Sequence, residues 1–335
     1  MFYALGVGEK LEALSCEAQG KEIRLWNTGE TWKLFDLGKV SVERYGYPYF
    51  TVYRPDLLKV LADAVGRQRI HLGTKVSQVR QDQGGVTLNG EIKGDALVGA
   101  DGVHSAIRQA LFGVDEPQFT GIIAWRGIVP LDEPPRMVGT NWVGPGGHVV
   151  HYPLRAGTVM NFVGALERSD WRVESWSARG TTEELAADFA GWHADVQALI
   201  RRIPVPYKWA LMTRPPMERW SVGRVTLLGD ACHSMVPFLA QGAVMAIEDG
   251  YMLARCLKAF RRVEEALERY QNARRERTRR AVEGSADNIG RFHNRALADP
   301  ARSREYVERE WAGQSVASRY EWLFRYDVTT ESIDP

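Results

Sequence analysis

The segment that most restricts the fold runs from Val225 to Asp249. Val225-Thr226-Leu227-Leu228 is a short apolar run, as expected of a strand buried on both faces. It ends at Gly229-Asp230, a loop follows through His233 and Pro237, and Ala240 to Phe260 reads as one long helix. Open α/β sheets bind ligands at the carboxyl ends of such strands. An Asp there accepts hydrogen bonds from hydroxyls, and a helix N-terminus stabilises negative charge. Gly242 lets the backbone approach a planar ring closely. The plain alternative is a strand-loop-helix turn capped by Asp230. The pattern Gly-Asp-Ala-x-His, Pro, Gln-Gly, Ala-Ile-Glu-Asp is far longer than that alternative needs.

Two shorter features point the same way. Val98-Gly99-Ala100-Asp101-Gly102 reads as a strand ending in Asp-Gly, with Ser105 opening a helix to Phe112; a turn with an N-cap would look alike. Arg54 opens the helical run Tyr53 to Val65, where Leu57, Leu58, Leu61 and Ala64 share a face. Phe2 to Leu14 has helical spacing, Glu22 to Leu37 reads as a hairpin about Asn27-Thr28-Gly29, and Ile70 to Arg80, Gly85 to Leu88 and Ala96 to Gly99 read as strands.

From Gly121 to Leu166 the texture changes to alternating, aromatic-rich strands, an antiparallel pattern. Within it, His148, Val150 and Tyr152 share a face by period-two alternation, and His151 points the other way. Thr182 to Ile203 reads as a helix stopped by Pro204. Beyond Arg261 the chain is polar and helical, and its Arg- and Glu-rich runs read as solvated faces. The expected architecture is an α/β domain built from two separated segments, with an antiparallel-sheet insert between them and a C-terminal helical segment.

At this length the patterns resemble the FAD-dependent aromatic hydroxylases, flavoprotein monooxygenases that include salicylate, hydroxybenzoate and hydroxynicotinate hydroxylases. The resemblance implies a Rossmann-like FAD-binding domain from residues 1–118 and 209–275, with 20–40 adding to the sheet of a substrate domain at 119–208 and a helical segment at 276–335. It implies FAD contacts from Arg54, Val79, Asp101 and Asp230, and from the backbone of Gly242, Ala243 and Val244, with Pro237 shaping the wall beside the flavin. Trp125 and Leu239 fall at substrate-pocket positions. The reaction it implies is hydroxylation of a small phenolic or pyridinol acid through a flavin C4a-hydroperoxide, with O2 as co-substrate and NADH or NADPH as reductant. A hydroxyarene must be made electron-rich before such an oxygen transfer, and a neutral imidazole or a phenol that draws off its proton does this. Relatives carry a His and a Tyr at the four-residue spacing of His148 and Tyr152, which makes these two the catalytic candidates. His233, directly after the Gly-Asp-Ala-Cys turn, reads as an orienting residue.

The chain also departs from that family. Ala240 stands where many members have Gly, and Val244 where many have Asn. No Gly-x-Gly-x-x-Gly fingerprint follows an opening strand; Gly6-Val7-Gly8 does not replace it. The expected first βαβ unit of the Rossmann-like domain is therefore missing, which predicts unpaired strand edges and exposed apolar surface beside it. The alternative function is accordingly a truncated, non-catalytic or weakly FAD-binding remnant, and a third reading keeps the flavin but inserts no oxygen.

Composition closes off other classes. A net charge of +1 gives no basic field for nucleic acid or an anionic membrane. Cys16, Cys232 and Cys256 are widely spaced and form no metal-ligand pattern with the histidines, so no metal is expected and a reduced, cytoplasmic location is. No stretch has the length of a membrane span. The expected partners are the small aromatic substrate and O2, with a homodimer the one protein partner considered.

Overall fold

Two sheets position the site in the computed structural model, which describes residues 1–168, 170, 178–311 and 314–333. In chain order, helix α1 (Gly8–Leu14) precedes the hairpin strands β1 (Gly20–Leu25) and β2 (Thr31–Asp36), helix α2 (Arg54–Val65), strand β3 (Leu97–Gly99) and helix α3 (Ala106–Phe112). Four long strands follow: β4 (Gln118–Pro130), β5 (Val138–Gly144), β6 (Gly147–Leu154) and β7 (Val159–Glu167). Helices α4 (Thr182–Asp188) and α5 (Ala194–Arg201) lead to strands β8 (Tyr207–Thr213), β9 (Ser221–Val222) and β10 (Val225–Leu227). The chain then runs through α6 (Gly242–Ala259), α7 (Val263–Phe292), α8 (Pro300–Trp311) and α9 (Gln314–Arg325).

The larger sheet has the order β8-β4-β7-β6-β5-β1-β2, antiparallel throughout except where β5 lies parallel to β1. Alternation gives it two buried faces. Trp125, Trp142, Val149 and Phe162 form the outer face, covered by Leu185 and Phe189 around α4 and by Val196 and Ile200 of α5. Ile122, Ala124, Val143 and Ala165 form the inner face, packed against Phe238, against Phe292 of α7 and against Val307 and Trp311 of α8.

The smaller sheet, β9-β10-β3, carries β10 parallel to β3. Its core joins Val225 and Leu227 to Met252 and Cys256 of α6 and to Leu267 and Tyr270 of α7. Among the described residues no strand pairs with the far edge of β3, and Val98 is exposed there.

Several expected elements come out differently. The stretch Thr182 to Ile203 forms two helices, not one. Gly191, at φ +81°, turns the chain between them, and the capping box of Thr181 with Glu184 starts only the first. Of Ile70 to Arg80, only the end is strand, in the segment Val79–Asp82. The long helix begins at Gly242, because Ala240 is left-handed at φ +55°. The polar helix α7 is not simply a solvated rod: Arg274, Arg277, Gln271 and Asn288 are buried. It also runs unbroken across residues 275 and 276, so the α/β core and the C-terminal segment share one helix.

Candidate active site

The site is built on the end of β10. Gly229, at φ +63°, turns the chain out of the strand, and a Cβ there would meet Ala246 Cβ at 3.0 Å. Its N–H donates to Asp249 Oδ2 at 3.1 Å. Asp249 also lies 2.6 Å from His233 Nε2 and accepts from Arg274 Nε at 2.8 Å, while Glu248 pairs with Arg274 at 2.8 Å and with Arg277 at 2.7 Å. Burial opposes charge on His233, but the Asp249 carboxylate outweighs it and holds the imidazole pKa well above its ordinary value. His233 is therefore a charged brace between the turn and α6, the orienting part expected of it.

That brace leaves the Asp230 side chain outward. Asp230 Oδ1 lies 3.9 Å from where a Cβ of Gly242 would stand, at the first residue of α6. Burial raises the Asp230 carboxyl pKa, with the His233 and Arg54 charges pulling it down. Arg54, exposed at the start of α2, thus acts on Asp230 from across the cleft, and it acts likewise on Arg126 of β4. Arg126 in turn acts on Tyr152, whose phenol burial pushes up and Arg126 pulls back. Arg54, Asp230, Arg126 and Tyr152 therefore share one electrostatic neighbourhood. Arg126 was missed by sequence reasoning, although alternation around Ile122 and Ala124 puts it on their face.

Pro237 starts a single 3-10 turn to Leu239; Pro237 is exposed, while Phe238 and Leu239 are buried. Helix α7 holds this turn through Ser285, which donates to the Val236 carbonyl, and Asn288, which donates to the Phe238 carbonyl at 3.0 Å. Gly242, Ala243 and Val244 form the first turn of α6 and none of them is buried, whereas Met245 directly after them is. Between this loop and the inner face lies a small cavity bordered by Lys21, Ile23 and Asn141 from the sheet, Leu239 and Gln241 from the loop, and Tyr320 from α9.

Asp101 is placed differently from Asp230. Its carboxylate accepts from the Ala106 and Ile107 N–H groups at 2.7 and 3.2 Å and from Ser105 Oγ, so it caps α3. Arg108, four residues after His104 in the same motif, pairs with Asp115 and donates to the Ala231 carbonyl at 3.4 Å, tying the two loops together. Arg214 closes the same cluster at 2.8 Å from Asp115. Val79 opens its strand half-buried at the margin of the α/β core.

A protein-family model described as "FAD binding domain" matches residues 1–285. The chain is 36% identical to a 3-amino-4-hydroxybenzoate 2-monooxygenase of Streptomyces platensis over 98% of its own length and 84% of the relative's. It is 36% identical to a 6-hydroxynicotinate 3-monooxygenase of Pseudomonas fluorescens, covering 79% of this chain and 72% of that one. The Klebsiella pneumoniae HpxO structure in complex with FAD and uric acid superposes with a TM-score of 0.83 at 26% identity, covering 99% of this chain and 86% of that chain. The chain belongs to the FAD-dependent aromatic hydroxylases.

In this hydroxylase the residues at the α6 end fit the cofactor: a carboxylate for hydroxyls, an exposed guanidinium for phosphate charge, and a helix start whose first residue has no side chain to block it. His148 lies on the inner face, as alternation predicts, with its ring 4.6 Å from that of Phe238. Its Nδ1 is 2.7 Å from His293 Nε2, and burial together with His293 drives its pKa well below the ordinary value. It is a neutral imidazole. Tyr152 shares its face, about 13 Å along the strand at the usual rise.

Trp125 is a correction. Its register partners are Gly164 and, through it, Val149, so it belongs to the outer face, opposite His148. There it is fully buried against the α4 region and donates from Nε1 to Asp188 at 2.7 Å. It cannot line a pocket facing the Pro237 loop. Among the described residues no three His, Cys, Asp or Glu side chains group as a metal site, and no helix is long and apolar enough to cross a membrane.

Proposed function

We propose that this hydroxylase inserts one oxygen atom of O2 into a small phenolic or pyridinol acid, using NADH or NADPH as reductant and releasing the second oxygen as water. The reading is supported by the convergence of Arg54, Asp230 and the α6 start with the inner face that bears His148 and Tyr152. Relatives named hydroxybenzoate and hydroxynicotinate monooxygenases support the substrate class. When bound, FAD supplies the reduction of O2 and the delivery of oxygen to the ring.

The chain's own residues supply position and proton control. Asp230 would accept from the ribityl hydroxyls, Arg54 would offset phosphate charge, and the Gly242, Ala243 and Val244 backbone would hold the flavin edge. Pro237 shapes the wall beside it. Tyr152 donates to the substrate hydroxyl oxygen, its proton held by burial and its orientation set by Arg126. Burial and His293 keep His148 neutral, so it can accept a proton where a charged imidazole could not. Asp101 acts on the cofactor only through the loop it caps, and Val79 serves through its backbone. The free, buried cysteines suit a reducing compartment such as the cytoplasm.

The test is direct. Purified chain with added FAD is expected to bind flavin, and then to oxidise NADH or NADPH faster with 3-hydroxybenzoate or 6-hydroxynicotinate and yield a hydroxylated product. No bound flavin, or nicotinamide oxidation with only peroxide formed, removes the reading. A second reading, weak flavin binding without turnover, is favoured by the use of Asp101 as a cap, which commits its carboxylate to the helix N–H groups. Flavin that is lost on gel filtration and leaves the acids unhydroxylated would decide for it.

A further inference from the structure

Resting on the aromatic-acid reading, we propose that Lys21 is the carboxylate anchor of the substrate cavity, with Asn141 beside it as a neutral polar contact for the ring substituents. Lys21 stands near the start of β1 on the inner face, in register with Gly139 of β5. A Cβ at Gly139 would lie 3.6 Å from Lys21 Cγ and 4.0 Å from Tyr152 Cβ. The glycine therefore leaves a trough in the sheet, and the lysine stem and Tyr152 form its two sides. The cavity that Lys21 lines also contains Asn141, Tyr49, Gln241 and Tyr320, and among the described residues no carboxylate borders it.

An ammonium in such a place is costly unless it is paired. Four buried arginines elsewhere are ion-paired: Arg108 and Arg214 face Asp115, and Arg274 and Arg277 face Glu248. Among the described residues Lys21 has no ion pair and no hydrogen bond, and burial lowers its pKa with only Tyr320 opposing. Asn141 Oδ1 is likewise buried without a hydrogen-bond partner. Whichever way that amide is turned, it offers one donor and one acceptor to a hydroxyl or ring nitrogen. An amine with no protein anion, next to an unsatisfied amide and near Tyr152, matches a ligand that carries a carboxylate and a hydroxyl on one small ring.

The experiment compares 3-hydroxybenzoate with phenol, which lacks the carboxylate, by isothermal titration calorimetry on the purified chain with FAD added. Lys21→Met keeps the stem and removes the charge; Lys21→Arg keeps the charge. The unsubstituted chain is expected to prefer the acid. Lys21→Met should weaken 3-hydroxybenzoate by about tenfold to a hundredfold, as for loss of a charged hydrogen bond, and leave phenol unchanged. Lys21→Arg should recover part of the loss. Should Lys21→Met not fold by circular dichroism, Lys21→Gln carries the same comparison. Equal binding of the acid to the parent and to Lys21→Met overturns the assignment, and so does an equal loss of acid and phenol. Binding of phenol but not the acid to the parent overturns the carboxylate anchor alone. Binding of neither overturns the aromatic-acid reading and the anchor with it.

Discussion

Replacing Asp249 by Asn tests whether the buried ion network, rather than the loop itself, sets the direction of Asp230. Asp249 receives Gly229 N–H at 3.1 Å, His233 Nε2 at 2.6 Å and Arg274 Nε at 2.8 Å, all fully buried. Asn keeps the shape but leaves two cations facing a neutral amide. Breaking a buried pair by removing one partner costs roughly 3–5 kcal/mol. With about 2.1 cal/mol/K of unfolding entropy per residue, a chain of 335 residues has about 0.7 kcal/mol/K, so the melting temperature should fall by about 4–7 °C. The assay is calorimetric melting of the parent, Asp249→Asn, Arg274→Met and the double variant. Because the two side chains share a contact, the double variant should lose less than the sum of the singles by about 1 kcal/mol or more. FAD should also bind more weakly to Asp249→Asn, since Gly229 loses part of its tether. A melting temperature within about 1 °C of the parent, or strict additivity, would refute the reasoning. The pH dependence adds a sign. His233 has a raised folded-state pKa, so its share of stability is complete below the unfolded value of about 6.5 and fades as pH rises through the folded one. Asp249→Asn should remove that alkaline loss.

Burial lowers the pKa of His151 and of His293 to about 4, so the folded protein resists protons that the unfolded chain takes up. Stability should therefore drop as pH falls from about 6.5 to about 4, and His293→Gln should flatten the slope of urea midpoint against pH; an unchanged slope rejects the assignment. Trp125→Phe should cost about 1 kcal/mol by removing the donor to Asp188 Oδ2, with Arg168 still paired to Oδ1, yet leave the KM for the aromatic acid unaltered, whereas Tyr152→Phe should change turnover with little change in melting. The reverse pattern would mean the faces of the sheet have been exchanged. Asp230→Ala should raise the FAD dissociation constant about tenfold to a hundredfold, read by flavin fluorescence, and an unchanged constant would take Asp230 out of the cradle.

What could be read from the sequence was what one chain segment decides by itself. The apolar run Val225–Leu228 and the Gly-Asp turn after it could only be a buried strand feeding a helix, and β10, Gly229 and α6 have that form. Period-two alternation likewise put His148 and Tyr152 on one face without knowledge of their neighbours. Trp125 failed because its face depends on pairing with Gly164 and then Val149, a register set across three strands and invisible along any one. Arg126, one residue further, gains its role by that same register. The arginines of α7 looked solvated because their partners, Glu248 and Asp249, lie on the preceding helix, and only the packing of α6 on α7 brings them together. Lys21 needed most: a parallel pairing of β1 with β5, a glycine opposite, and a C-terminal helix bringing Tyr320 over the cavity. Local patterns thus identified the chemistry that the backbone presents at the end of β10. The side chains that choose a substrate are set by tertiary register, and for that reason the family is legible in this sequence while its specificity has to be argued from Lys21 and Asn141.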